Sequence, residues 1–122
     1  MRIAGLQISA GREVEKNVGR AVEMAEVAAE RGAKVIGFPE LCLTPWFPSE
    51  ENEASFTLAR EIASSAIAAF VASSLKLQVV IVLPFFEHAG GRYYNSSAVI
   101  DCGKVLGVYR KVHLPNIPLY RE

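Results

Sequence analysis

Apolar residues are spaced in two different ways along this chain, and the changes of period divide it into elements. Arg2 to Ile8 is a short, mostly apolar run followed by small residues and a turn signal at Ala10-Gly11, the pattern of a buried strand. The period then lengthens. Val14, Val18, Ala21, Val22, Ala25, Ala28 and Ala29 recur at three- and four-residue steps, with Glu15, Glu26 and Glu30 on the other side. That stripe predicts an amphipathic helix, which Gly32 can end. Lys34 to Phe38 predicts a second short strand. A strand, a helix and a strand in succession form a βαβ unit, whose crossover places its two strands parallel and buried.

A loop rich in breakers follows, Leu41 to Asn52, with Pro45 and Pro48 inside it. Leu58, Ala59, Ile62, Ala63, Ala66, Ile67, Phe70, Val71, Ser74 and Leu75 then draw a second helical stripe. It leads into Val79-Val80-Ile81-Val82-Leu83, where four of five residues are β-branched, the clearest strand in the chain. Two further runs, Arg92 to Asp101 and Lys104 to Tyr109, are separated by Cys102-Gly103 and predict an antiparallel hairpin added to the parallel strands. The predicted order is β-α-β-α-β-β-β, an α/β layer with helices on at least one face. No repeat, low-complexity tract or internal linker interrupts it.

Composition narrows the function classes. The chain has 122 residues, enough for one core and one domain. Thirteen basic residues balance thirteen acidic ones, and no basic cluster is longer than Arg110-Lys111, so bulk charge attracts neither nucleic acid nor anionic lipid. The longest apolar stretch, Val79 to Phe86, falls far short of the roughly 20 residues of a membrane-spanning helix. Met1 is followed at once by Arg2 and a strand-like run, which reads as the absence of a secretory leader. The expectation is therefore a soluble, cytoplasmic protein in which Cys42 and Cys102 are reduced thiols, with a disulfide between them the minor alternative.

Chemistry in α/β folds concentrates on loops just beyond the carboxyl ends of strands. Glu40 in Phe38-Pro39-Glu40-Leu41 follows the second strand, and Lys111 in Tyr109-Arg110-Lys111 follows the last. Taken singly, the first is an ordinary solvated loop carboxylate and the second a surface lysine ending a hairpin. Aimed into one cleft, they can divide the work of acyl transfer, the carboxylate accepting a proton from a nucleophile and the ammonium stabilising the oxyanion. At about 4 Å and an effective dielectric of ~20 their attraction is about 4 kcal/mol, enough to keep the lysine charged against partial burial. The pair lacks a nucleophile.

Three separated stretches carry a more specific signal: the opening MRIAGLQIS, then GFPELCLTPWFP, then NSSAVIDCGKVLGVYRKVHLP. In this order they resemble the nitrilase superfamily of carbon-nitrogen hydrolases, and the resemblance covers essentially all 122 residues at the spacing of that family's amino-terminal half. It implies a Glu-Lys-Cys triad with Glu40 as general base and Lys111 as its lysine. It also implies a second, substrate-positioning glutamate, matched by Glu122 in PLYRE, and no cofactor or metal. The family's nucleophilic Cys lies further on than this chain reaches. The segments TPWFP and HLPNIPLYRE resemble the branch that hydrolyses N-carbamoyl amines and amino acids, such as N-carbamoylputrescine amidases and β-ureidopropionases, with short amides and nitriles as alternatives.

Other residues weigh less. Cys42 is the alternative nucleophile, read against a packed bystander thiol, and Cys102 sits in the hairpin turn away from both strand ends. His88 and His113 are the only histidines and no cluster of ligands accompanies them, so His113 reads as a loop-orienting residue of the motif rather than a base or ligand. In Tyr93-Tyr94-Asn95-Ser96, Asn95 is a candidate for holding the active-site loops. Trp46 and Phe47, between two prolines just after Glu40, are candidate walls of a substrate pocket or of a subunit contact, with Trp46 as a substrate-positioning residue, or else plain packing.

The resemblance implies the amino-terminal half of a four-layer α-β-β-α sandwich. Residues 1–122 would form a partial domain lacking the carboxyl-terminal half, inactive alone, with one sheet face bare. The high apolar content, 51%, fits that expectation. Its partners would be a small amide or N-carbamoyl substrate and either the missing half or a second copy, not nucleic acid or membrane. Two other readings stand beside it: a non-catalytic fragment with a structural or assembly role, and an unrelated small α/β binding domain in which Glu40 and Lys111 lie apart.

Overall fold

The computed structural model describes residues 1–49, 52–117 and 120–121. Five strands form one sheet in the order β1-β2-β3-β4-β5. They are β1 (Arg2–Gly5), β2 (Ala33–Gly37), β3 (Val80–Ala89), β4 (Arg92–Asp101) and β5 (Lys104–Arg110). The first three run parallel, and β4 and β5 are antiparallel additions. The helices are α1 (Val14–Glu30) and α2 (Ser65–Leu77). A small separate hairpin, β6 (Asn116–Ile117) with β7 (Tyr120–Arg121), completes the pairing and was not expected from the sequence.

The predicted stripe of α1 is the buried one: Val14, Val18, Ala21, Ala25 and Ala28 face the sheet. Gly32 ends the helix at φ +87°, a conformation that costs glycine nothing, and its N–H donates to Ala29 O. Small residues along this stripe let α1 approach α2, and Lys76 of α2 closes an ion pair with Glu26 of α1 at 2.8 Å. Both helices cover the sheet face that carries Ile36, Ile81, Leu83, Phe85, Ala98 and Ile100, all almost fully buried.

Three predicted bounds move, and the first is the end of β1, which stops at Gly5 rather than Ile8. The second helical stripe does not start at Leu58. Residues 53–58 form a 3-10 helix capped by Asn52, whose side chain accepts the N–H of Ala54. Beyond it, Arg60 runs beside β3: its N–H donates to Phe86 O and its carbonyl accepts from His88 N–H. These backbone groups are committed to the sheet, so Leu58 packs from the end of the 3-10 helix, Ala59 from extended chain and Ile62 from a turn rather than from one continuous α-helix. The tertiary partner overrides the local period. Strand β3 likewise runs past Leu83 to Ala89, and Gly90 and Gly91, at φ +57° and +73°, turn it directly into β4. Pro84 interrupts nothing, because β2 pairs only as far as Val82 and leaves that side of β3 open. The predicted Cys102-Gly103 hairpin turn is present, with both residues at positive φ.

Neither α1 nor α2 lies on the opposite sheet face. Ile3 is 70% exposed, Tyr109 64% and Val99 37%, although Val35, Val80 and Val82 between them are apolar too. A sheet that is buried on one face and apolar on the other is built to be covered twice.

Candidate active site

The site grows from the place where β2 leaves the sheet. Phe38 stays on the helix side, 5.6 Å from Phe70 of α2 in an edge-to-face contact, and its N–H still pairs with Val82 O. After Pro39 the chain turns sharply. Leu41 adopts φ +51°, unusual for a side chain of its size, and Thr44 N–H and Oγ1 both donate to Leu41 O. Leu41, Cys42 and Leu43 are all buried, so this tight turn is nailed to the core while Glu40 projects from it. A further anchor comes from α1. Asn17 is 2% exposed, and its Nδ2 donates to Leu43 O at 2.9 Å and to Gly11 O at 2.6 Å while Oδ1 accepts from Gly11 N–H.

Lys111 arrives from the other direction. It follows β5 directly, and its N–H donates to Asn95 O at 2.8 Å, which extends the β4–β5 register by one residue. Its Nζ lies 2.8 Å from Glu40 Oε1, and the Nδ2 of Asn95 donates to the same oxygen at 2.8 Å. Residues 71 positions apart in sequence are thus brought into direct contact. An unrelated binding domain that keeps Glu40 and Lys111 apart is excluded by this distance. Partial burial alone pushes the Glu40 carboxyl upward, but the hydrogen bonds from Lys111 and Asn95, with the lysine's charge, outweigh it and hold the pKa below the ordinary 4.5. At neutral pH Glu40 is therefore an ionised proton acceptor beside a cation.

The other sequence candidates separate clearly. Cys42 is 3% exposed, its Sγ donates to Pro84 O at 3.1 Å, and burial pushes its pKa up to about 12. This is the environment of a packed thiol and the opposite of an activated one. Cys102 is exposed at the far end of the β4–β5 hairpin from Lys111. Trp46 is 44% exposed and takes no part in the hydrogen bonds of the pair, and His113 is exposed. Glu122 lies outside the described residues.

Sequence reasoning missed two groups. Asn17 anchors the Glu40 turn, and its signal was a polar residue on the buried stripe, three residues after Val14 and one before Val18. The second group is an aromatic cluster on the open face beside Asn95. Phe47 stacks on Phe86 at 4.6 Å, Phe56 on Tyr93 at 4.5 Å, and His88 lies 5.0 Å from Tyr93. Nothing in the spacing of residues 47, 56, 86 and 93 announces that grouping, which depends on the path of the 3-10 segment.

The carbon-nitrogen hydrolase family model matches residues 2–122. The chain belongs to that family. Among curated relatives it is 35% identical over 124 residues to a citrullinase of Francisella tularensis subsp. tularensis, covering 100% of this chain and 43% of that protein. It is also 35% identical over 122 residues to an N-carbamoylputrescine amidase of Solanum tuberosum, covering 98% and 41%. Among solved structures, a carbon-nitrogen hydrolase from Helicobacter pylori G27 superposes with a TM-score of 0.86 at 30% identity, over 98% of this chain and 41% of that one. The chain spans about two fifths of the length of the relatives it matches. Among the described residues no helix is long and apolar enough to cross a membrane.

Proposed function

We propose that this chain is the part of a non-peptide carbon-nitrogen hydrolase that supplies the general base and the cationic oxyanion stabiliser, and that its substrates are N-carbamoyl amines or small amides. The single observation that carries this reading is the 2.8 Å contact between Lys111 Nζ and Glu40 Oε1, which follow β5 and β2, strands separated in the sheet by β3 and β4. The nucleophile is a cysteine outside these 122 residues. Its thiol proton passes to Glu40 as the sulfur attacks the carbonyl carbon, and Lys111 stabilises the oxyanion that forms. Collapse of that intermediate expels the amine or ammonia, which takes up the proton, and leaves a thioester. Water then attacks the thioester carbon, giving its proton to Glu40, and the thiolate leaves and is reprotonated.

Two features support the role of the rest of the molecule. The apolar face with Ile3, Val99 and Tyr109 exposed fits a sheet made to meet a second layer, either the remaining segment of the domain or a second copy. The exposed Trp46 fits a wall of the substrate pocket, and Glu122 a substrate-positioning carboxylate, both on the strength of the family motif. The N-carbamoyl preference rests on the names of the amidase and citrullinase relatives.

The test is ammonia release from N-carbamoylputrescine, N-carbamoyl-β-alanine, citrulline and a panel of short amides. The chain is assayed with and without a supplied carboxyl-terminal segment bearing a cysteine. Activity only on complementation, abolished by Glu40→Gln and by Lys111→Ala, is the expected result. Activity from the chain alone would overturn the assignment of the nucleophile to another segment and point to Cys42. Light scattering on the chain alone should show association through the bare face, and a monodisperse monomer would overturn that part of the reading.

A further inference from the structure

Asn95 touches both members of the pair, and it does so with different atoms. Its main-chain carbonyl accepts the Lys111 N–H at 2.8 Å, and its side-chain Nδ2 donates to Glu40 Oε1 at 2.8 Å. It is 9% exposed, and it sits on β4 opposite Phe86 of β3, with β5 ending on its other side. The backbone of Asn95 is therefore fixed by the ladder, and one residue sets where Lys111 begins and where the Glu40 carboxylate ends.

A lysine alone cannot orient a carboxylate. Its ammonium is a compact charge on a flexible stem and can serve either oxygen equally well. A primary amide is a directional donor held by a short side chain. Because Nδ2 and Nζ converge on Oε1, the two oxygens of Glu40 become unlike: among the described residues Oε1 accepts two charge-assisted bonds and Oε2 accepts none. We propose that Asn95 is a positioning residue that locks Glu40 with Oε1 engaged, so that Oε2 is the oxygen presented for proton transfer. This rests on the reading of Glu40 as the general base. The residue type follows from the geometry. Aspartate would set a like charge against Glu40, alanine would leave Oε1 to the lysine alone, and glutamine would be one methylene too long for the same bond.

The proposal is tested on the 122-residue chain by following the Glu40 side-chain carboxyl carbon by NMR from about pH 3 to 7. The chains compared are wild type, Asn95→Asp, Asn95→Ala and Lys111→Met. All three variants retain the main-chain carbonyl at position 95, so far-UV circular dichroism and the Lys111 amide shift report whether the register has survived. The expected result is an upward shift of the Glu40 titration in both Asn95 variants, larger for Asn95→Asp, with an unchanged Lys111 amide. An unmoved Glu40 titration in both Asn95 variants, with a shift in Lys111→Met, would overturn the positioning role and leave the Glu40–Lys111 pair standing. No shift in any of the three would overturn the pair as well. Should the variants not fold, the wild type decides: the Asn95 Nδ2 protons should titrate with the same midpoint as Glu40, and a flat response overturns the proposal.

Discussion

Arg110 and Lys111 are adjacent in the chain and are held on opposite sides of the same strand end. The Nε of Arg110 meets Glu87 Oε2 at 2.8 Å on the helix-covered side, and the Nζ of Lys111 meets Glu40 Oε1 at 2.8 Å on the open side. Their partners alternate in the same way: Ser96 donates to Glu87, and its neighbour Asn95 to Glu40. The period of two in a strand makes this possible, since consecutive side chains leave the sheet in opposite directions. The guanidinium also lies 3.9 Å over the Tyr94 ring. Glu87 is thus a latch, on the side away from the Glu40–Lys111 pair, for the strand end that carries Lys111.

The latch should be pH-dependent. The Arg110 hydrogen bond lowers the Glu87 pKa, burial opposes it, and Ser96 adds to the lowering, so the folded value lies below the ordinary 4.5. A group whose pKa is depressed on folding stabilises the fold above its unfolded pKa and ceases to do so as pH falls through the folded one. Denaturant titrations should therefore show Glu87→Gln less stable than wild type by about 1–3 kcal/mol at pH 7. The gap should narrow below about pH 4.5. A gap that is the same at pH 3 and pH 7 would refute the latch.

How far the sequence reveals this arrangement depends on whether the signal is local. The stripe of α1, the β-branched run of β3 and the turn at Cys102-Gly103 are each set by neighbours within a few residues, and each is legible. Glu40 and Lys111 are legible as positions after strands whose carboxyl ends share one edge of the sheet, but β3 and β4 lie between those strands, so the contact also depends on the path of the chain after Pro39. What escapes is set by partners far away in sequence. Arg60 takes the place beside β3 that β2 has vacated, which cancels the helical reading of Leu58 to Ala63, and the aromatic cluster on the open face depends on that same path. Asn17 was hidden for a different reason, because a polar residue on an apolar stripe is read as noise until its three partners are seen.

The base of the Glu40 turn depends on Phe70. That ring is fully buried and supports Phe38 two residues before Glu40. Phe70→Ala removes a large buried side chain that its surroundings can only partly replace, so it should cost about 3–5 kcal/mol in equilibrium unfolding. Amide exchange at residues 38–44 should rise along with it. A cost below about 1 kcal/mol would mean that the α2–sheet interface is looser than described.

The two thiols should differ sharply in reactivity. With its pKa near 12, Cys42 holds a thiolate fraction of roughly one in ten thousand at pH 8, and it is only 3% exposed. Alkylation by iodoacetamide in native buffer should label Cys102 alone, and Cys42 should react only when denaturant is added. Rapid native labelling of Cys42 would contradict its assignment as a packing residue and reopen it as a nucleophile.

Asn17 offers the clearest separation of anchoring from chemistry. It lies on α1, contacts neither Glu40 nor Lys111, and holds Leu43 O and both backbone groups of Gly11. Asn17→Ala leaves those groups without their partner in a nearly dry place, and unfolding measurements should show a loss on the order of 1–3 kcal/mol. The ion pair itself is rooted independently at its Lys111 end, in the β4–β5 ladder, so the variant should loosen the turn at 41–44 while the amide of Lys111 keeps its protection. If exchange at Lys111 rises as much as exchange at Leu43, the two loops move as one cooperative unit, and the division of labour between helix anchor and strand anchor is wrong.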